Sequence, residues 1–193
     1  VHGANRLGTN SLTDLVVFGR RSGKHVAEYA NSVDFLPLPS GAADKAIAEL
    51  NRIRQNTGGV KGYKLRSAMQ EMMTEQVGVF RLQEGMDDAV AKLDDLKQEW
   101  QDNLEIDDKG KIFNTDLLEA WELGNLLDIA RITAYSAAMR PESRGGHARD
   151  DYKERNDDEW LKHTLCFLKE DGSLELRYKD VTLGRYEPKP RVY

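Results

Sequence analysis

His2, Asn5, Arg6, Asn10 and Ser11 crowd into one short segment that also holds Gly3 and Gly8. Gly and Asn mark it as a loop. A largely apolar run (Leu12, Leu15, Val16, Val17, Phe18) follows directly, so the loop feeds a helix, with Asn10 or Ser11 as its N-cap. The first turn of a helix offers unpaired N–H groups and a partial positive charge. That suits an anionic ligand, or a ring that gains negative charge. A neighbouring arginine can grip a carboxylate through two parallel hydrogen bonds. Spacing alone leaves a second reading open, in which Arg6 is a surface ion-pair residue and Ser11 a plain cap.

A second polar group lies between Glu142 and Trp160. It contains Arg144, His147, Arg149, Asp150, Asp151, Asp157 and Asp158. One histidine among scattered carboxylates is weak for a transition metal, so no metal site is expected. The reading favoured by composition is a loop held against helices by ion pairs and hydrogen bonds. Cys166 is the only cysteine, which excludes an internal disulfide. It is expected half-buried on a strand.

The elements that must carry these residues read as mainly α. A helix over about 12–30 is followed by Phe35-Leu-Pro-Leu-Pro-Ser40, where two prolines end any helix. Helices are then expected over about 41–55 (Ile47, Leu50, Ile53), up to about Val77 (Leu65, Met69, Met72, Met73) and through Met86, Val90, Leu93, Leu96 and Trp100. The other face of the last is acidic, with ten Asp/Glu against two Lys between Glu84 and Asp108. A fourth helix, capped by Asn114-Thr-Asp116 and running to about Met139, is apolar nearly all round (Leu117, Leu118, Trp121, Leu126, Leu127, Ile129, Ile132). It is therefore expected to form the buried centre of a bundle, with Trp100 and Trp121 both inside. Alternating strands around Glu170-Asp-Gly-Ser173 predict a hairpin. The expected architecture is a helical bundle of three to four helices with a short C-terminal β-hairpin, preceded by the last loop and helix of another domain. The boundaries expected are 1–36, 41–140 and 141–193.

The 193 residues carry a net charge of -5. No global basic field for nucleic acid exists, and no apolar run approaches the roughly 20 residues needed to span a bilayer. There is no signal peptide, and the chain opens at Val1 inside what reads as a functional loop, as a piece of something larger does.

Separated blocks along the chain resemble one family. Val1-His-Gly-Ala-Asn-Arg-Leu-Gly-Thr-Asn-Ser-Leu12 with Asp14-Leu-Val-Val-Phe-Gly-Arg20 resembles the flavin loop of succinate dehydrogenase and fumarate reductase flavoprotein subunits. Met69-Gln-Glu-Met-Met73 with Gly78-Val-Phe-Arg81, then Phe113-Asn-Thr115, resemble helices of their C-terminal domain. Glu142-Ser-Arg-Gly-Gly-His147 with Arg149, Asp151, Arg155, Asp157, Asp158 and Trp160 is similar to a family signature, and Pro188-Lys-Pro-Arg-Val-Tyr193 to the family's end. Thr9 and Thr13 depart from the commonest pattern, which has Gly and Leu there; Thr9 bears on how closely the backbone meets the flavin.

The resemblance implies that Arg6 binds a carboxylate of a dicarboxylate substrate (succinate or fumarate). It implies that Ser11 and Leu12 contact FAD through the helix N-terminus, with His2 near the same edge. It implies 1–36 as the end of an FAD-binding domain. Partners implied are an iron–sulfur subunit and membrane anchor subunits, so that the parent lies in the cytoplasm, peripheral on the inner face of the cell membrane. The dinucleotide fold, the histidine that carries flavin covalently and the capping domain are all outside these residues. No catalytic residue is therefore assigned here, the chain alone is expected to be inactive and to hold no FAD, and self-association through residues 12–30 is expected. Succinate dehydrogenase is favoured, with fumarate reductase or a non-catalytic helical interaction module as alternatives. The 142–160 segment could also dock the iron–sulfur partner or the flavin domain.

Overall fold

A computed structural model describes residues 10–185 and 187–189. The chain divides into two compact units, one up to Arg52 and one from Ile53 onward. In the first, helix α1 spans Asn10–Ala30 and is followed by irregular chain through the two prolines. Its apolar residues Leu12, Leu15, Val16 and Phe18 are exposed, each by half or more. Helix α2 spans Asp44–Gln55 and begins after a turn rather than at residue 41.

The second unit is built around α3 (Gly62–Gln76), α4 (Gln83–Asn103) and α5 (Thr115–Ala138). Two-residue strands stitch their ends together. β1 (Val60–Lys61) pairs in parallel with β3 (Leu104–Glu105), and β2 (Phe80–Arg81) with β4 (Ala148–Arg149). After the single-turn helix α6 (Asp157–Trp160), β5 (Lys162–Leu168) and β6 (Leu174–Asp180) form the antiparallel hairpin foreseen around Asp171-Gly172. Gly172 sits at φ 81°, a conformation that side chains resist. Cys166 is half-buried on β5, on the face shared with Leu176.

The main core is one contiguous cluster, and Met86, Ala137 and Ala138 form a second, smaller one. Ile53, Leu65, Met69, Ala89, Leu93, Trp100, Leu104, Leu123 and Leu127 are buried in the main cluster. Burying each of the larger aliphatic side chains contributes about 1.5–3 kcal/mol. The expected stripe of α4 is present: Met86, Leu93 and Trp100 are buried, while Val90 and Leu96 pack partly against the core. The Trp100 indole N–H donates to the Ala120 carbonyl at 2.8 Å, which satisfies its one polar atom. At the start of α5, the Asn114 side chain accepts from the Leu117 N–H at 2.7 Å, as the cap reading anticipated.

One expectation for α5 is corrected. The helix is not buried all round: Leu118, Trp121, Leu126 and Ile129 face outward, with Trp121 38% exposed. The buried stripe is instead Ala120, Leu123, Gly124, Leu127, Ala130 and Ala134. Small residues at three- and four-residue spacing let α4 approach closely, and that approach selects the inward face. Leu123 and Leu127 are the bulky members of this buried stripe.

Gly124 marks the tightest point. A Cβ there would come within 2.3 Å of Cζ2 of the Trp100 ring. Gly124→Ala removes a helix-interior glycine, a gain of about 1 kcal/mol. Overpacking against a rigid indole costs about 1–3 kcal/mol, and the closeness of the clash places it at the upper end. The melting midpoint is expected to fall by about 3–6 °C. A midpoint at or above that of the parent chain would show that the two helices separate without cost.

Candidate functional site

The most densely connected polar region joins α5, the 140–157 loop and the two ends of the β2–α4 junction. Pairing of β2 with β4 sets Arg81 opposite Arg149 and brings the loop to the start of α4. The Asp150 N–H donates to the Arg81 carbonyl at 2.9 Å. The next residue, Asp151, caps α4: its Oδ2 accepts from the Gln83 N–H at 2.9 Å. No side chain from Leu82 does so. A carboxylate at a helix N-terminus is favourable in both charge and hydrogen bonding.

Arg149 is 1% exposed. It grips Asp151 with two parallel bonds, Nε to Oδ1 and Nη2 to Oδ2, both 2.7 Å. Its remaining N–H groups reach the Gln83 amide oxygen and the Arg140 carbonyl, and its plane lies over the Tyr152 ring. The Arg149 guanidinium, with the Gln83 N–H, holds the Asp151 carboxyl down at about 2 from its ordinary 3.8. A folded-state value below the unfolded one stabilises the fold above the ordinary carboxylate range. That stability is lost as pH falls from about 4 towards 2. In melting curves taken across this window, Asp151→Asn should show a shallower fall than the parent chain. Parallel slopes would mean that Asp151 does not contribute.

Glu142 is fully buried. Arg140 donates to its Oε1 from Nε and Nη2, at 2.8 and 2.5 Å. Arg144 bonds both oxygens, at 2.8 and 3.0 Å, and the Asn156 N–H donates at 2.9 Å. Burial pushes the carboxyl up, but the donors from Arg144, Asn156 and Arg140 outweigh it and leave it below the ordinary range. Arg144 continues to Asp157, which also takes Arg155, both at 2.7 Å. Arg140 extends the network to the hairpin through the Trp160 and Lys162 carbonyls and the Thr164 hydroxyl.

His147 closes the turn from Arg144, exchanging backbone hydrogen bonds with it. Its Nδ1 lies 2.8 Å from Arg81 Nη1, and its Nε2 2.9 Å from the Arg140 carbonyl. An arginine only donates and a carbonyl only accepts. The ring is therefore neutral, with the proton on Nε2. Burial, reinforced by Arg81, Arg149 and Arg140, lowers its pKa.

The residues that composition grouped between 142 and 160 thus separate. Arg144, His147, Arg149, Asp151 and Asp157 converge, as the ion-paired-loop reading expected. The Asp150 and Asp158 side chains stay exposed. Arg81, Gln83 and Arg140 were not connected to this group by sequence. The apposition of β2 and β4, each two residues long, brings in Arg81 and Gln83, and Arg140 joins from two residues before Glu142. Among the described residues no group of three or more His, Cys, Asp or Glu could hold a metal.

Of the residues read as flavin- or substrate-facing, Ser11 and Leu12 stand in the first turn of α1, inside the helix rather than at a cap. Ser11 is half-buried and Leu12 is 65% exposed. Arg6 and His2 lie outside the described residues. The first turn of α1 carries no acidic residue, so nothing in it offsets the positive end of the helix.

Residues 66–193 match the family model described as fumarate reductase flavoprotein C-term, and the chain belongs to that family of succinate dehydrogenase and fumarate reductase flavoproteins. Over 184 residues it is 46% identical to a Rickettsia bellii succinate dehydrogenase flavoprotein subunit, covering 95% of this chain and 31% of that one. Over 196 residues it is 40% identical to a Haemophilus influenzae fumarate reductase flavoprotein subunit, covering 100% and 32%. A solved structure of E. coli quinol fumarate reductase superimposes with TM-score 0.89 at 39% identity, covering 100% of this chain and 33% of that one. The chain therefore spans about a third of the length of the relatives it matches.

Proposed function

We infer that this chain is the C-terminal third of a succinate dehydrogenase flavoprotein subunit, whose whole oxidises succinate to fumarate and passes electrons to an iron–sulfur subunit and quinone. The observation carrying the reading is the 46% identity to a succinate dehydrogenase subunit, against 40% for the fumarate reductase subunit from Haemophilus influenzae. Fumarate reduction remains the second reading, supported by the close superposition on a quinol fumarate reductase.

On this reading, residues 1–36 end an FAD-binding domain, 41–140 form the helical domain and 141–193 the closing loop, hairpin and tail. Arg6 clamps a carboxylate of the substrate. Ser11, Leu12 and the first turn of α1 face the flavin, with His2 nearby. FAD, when bound, supplies the hydride acceptor. The chain's own part is to orient the dicarboxylate and to present fixed dipoles where negative charge grows. The described residues fit this role, because an acid in the first turn of α1 would repel such charge and none is there. Membrane attachment, on this reading, comes through partner subunits; among the described residues no helix is long and apolar enough to cross a membrane. The exposed apolar face of α1 belongs against the rest of the flavoprotein. In the isolated chain it favours self-association.

The test is the full-length flavoprotein assembled with its iron–sulfur subunit, assayed for succinate-driven dye reduction and for fumarate-driven oxidation of a reduced dye. Faster succinate oxidation is expected. A dominant fumarate reduction selects the second reading, and the absence of both overturns the assignment.

A further inference from the structure

The ion-pair network is not electrically balanced, and its excess charge faces a cleft. Four arginines (140, 144, 149 and 155) meet three carboxylates (Glu142, Asp151 and Asp157). Arg81 and Lys162 add two cations that have no carboxylate partner among the described residues. Arg81 spends Nε on the Val77 and Gly78 carbonyls and Nη1 on His147, leaving Nη2 without a partner. Arg144 uses Nε and Nη2, leaving Nη1. Lys162 is held by ring faces instead of an anion: its Nζ lies 4.5 Å from the Trp160 centroid and 4.6 Å from that of Tyr178. A cation fixed over two aromatic rings keeps its N–H groups for another acceptor.

These three groups line the same open cleft, of about 520 Å³, between the C-terminal half of α5, the 144–147 turn and β5. Arg140, His147, His163, Thr133, Ser136 and Thr164 are its other polar lining residues, and no carboxylate is among the described residues that line it. His147 cannot neutralise Arg81, because it is already a neutral acceptor. In a chain of net charge -5, this is a local positive site walled by protein.

We propose that this cleft binds a small polyanion, a ligand carrying two or more carboxylate or phosphate groups, with one group on the Arg81–Arg144 side and another on Lys162. Arg81 Nη2 and Arg144 Nη1 each offer N–H donors from one nitrogen to an oxyanion, while the lysine supplies a point charge. The cleft exceeds the size of a single inorganic anion, which is why two charged groups fit better than one.

Calorimetric titration of the 193-residue chain with inorganic pyrophosphate, and separately with citrate, in about 100 mM salt tests this. At least one is expected to bind saturably at one site per chain, with a dissociation constant of about 1 mM or tighter. The two arms tell a phosphate from a carboxylate ligand. Lys162→Gln removes a cation that makes no ion pair, so the fold should survive, and binding should weaken about fivefold to tenfold. Lys92→Gln, which removes an exposed α4 lysine paired with Asp88, should leave affinity unchanged. Equal weakening by both variants would reduce the effect to overall charge and overturn the site. Absence of saturable binding by both anions would do the same. Binding only of a glutamate-rich peptide would make the cleft a docking surface for a protein segment, and the small-ligand proposal would fail.

Discussion

Arg6→Lys in the full-length enzyme is expected to lower succinate oxidation by about tenfold to a hundredfold. On the proposed reading, Arg6 presents a planar guanidinium to one carboxylate of the substrate. Lysine keeps the charge but offers a single rotating ammonium, which cannot make two parallel bonds to both oxygens. One charge-assisted hydrogen bond is worth about 1.5–3 kcal/mol. If that bond also fixes the angle of the substrate to the flavin, its loss appears in the rate as well as in binding, and each 1.36 kcal/mol is a tenfold change. The split between kcat and KM is informative: a higher KM alone means that Arg6 only binds, while a fall in kcat means that it orients the reacting carbon. A variant with parental kcat and KM would remove Arg6 from the site. Flavin content should not change, because Arg6 is assigned to the substrate.

The parts of this molecule written in local patterns were legible before the structure. The α4 stripe of Met86, Leu93 and Trp100 is buried, Asn114 caps α5, and Asp171-Gly172 turns the hairpin. Each depends on residues within a few positions of one another, where periodicity and turn chemistry act. What failed was the inward face of α5. Hydrophobic bulk pointed to Leu118 and Trp121, whereas the seam with α4 is made by Ala120, Gly124 and Ala134, whose value lies in their small size. Apolarity alone carries no information about how near a second helix will come.

The polar site was half legible for a related reason. Composition showed that residues 142–160 would be held by ion pairs, but not which carboxylate would be buried. Glu142 is no different in kind from Asp158, yet one is sealed among guanidinium groups and the other is exposed. Arg81 and Gln83 lie some sixty residues upstream, and only β2–β4 pairing delivers them. A four-residue ladder has too little pattern to be seen in sequence. The loop before α1 was read as flavin-facing from its family resemblance alone, since spacing left Arg6 open between two readings, and residues 1–9 lie outside the described residues.

The buried carboxylate supports the second large effect. Glu142→Ala is expected to destabilise the second unit by about 3–5 kcal/mol, the usual consequence of removing one partner from a buried ion pair. Glu142 is fully buried and takes donors from Arg140, Arg144 and the Asn156 N–H. Without it, Arg140 and Arg144 face each other as like charges, and the half-buried Asn156 N–H loses its acceptor. The damage should spread along Arg140, whose other bonds to Trp160, Lys162 and Thr164 tie the hairpin to the loop. Two readouts separate this from a cavity effect. Glu142→Gln keeps nearly the same volume but not the charge, and it should recover less than half of the loss. In a double-mutant cycle, Arg144→Ala added to Glu142→Ala should cost much less than the sum of the single changes, because it removes a charge already stranded. Denaturant unfolding of the four chains measures both. A loss below about 1 kcal/mol for Glu142→Ala, as for an exposed pair, would mean that solvent reaches these guanidinium groups and that the network does not hold the loop.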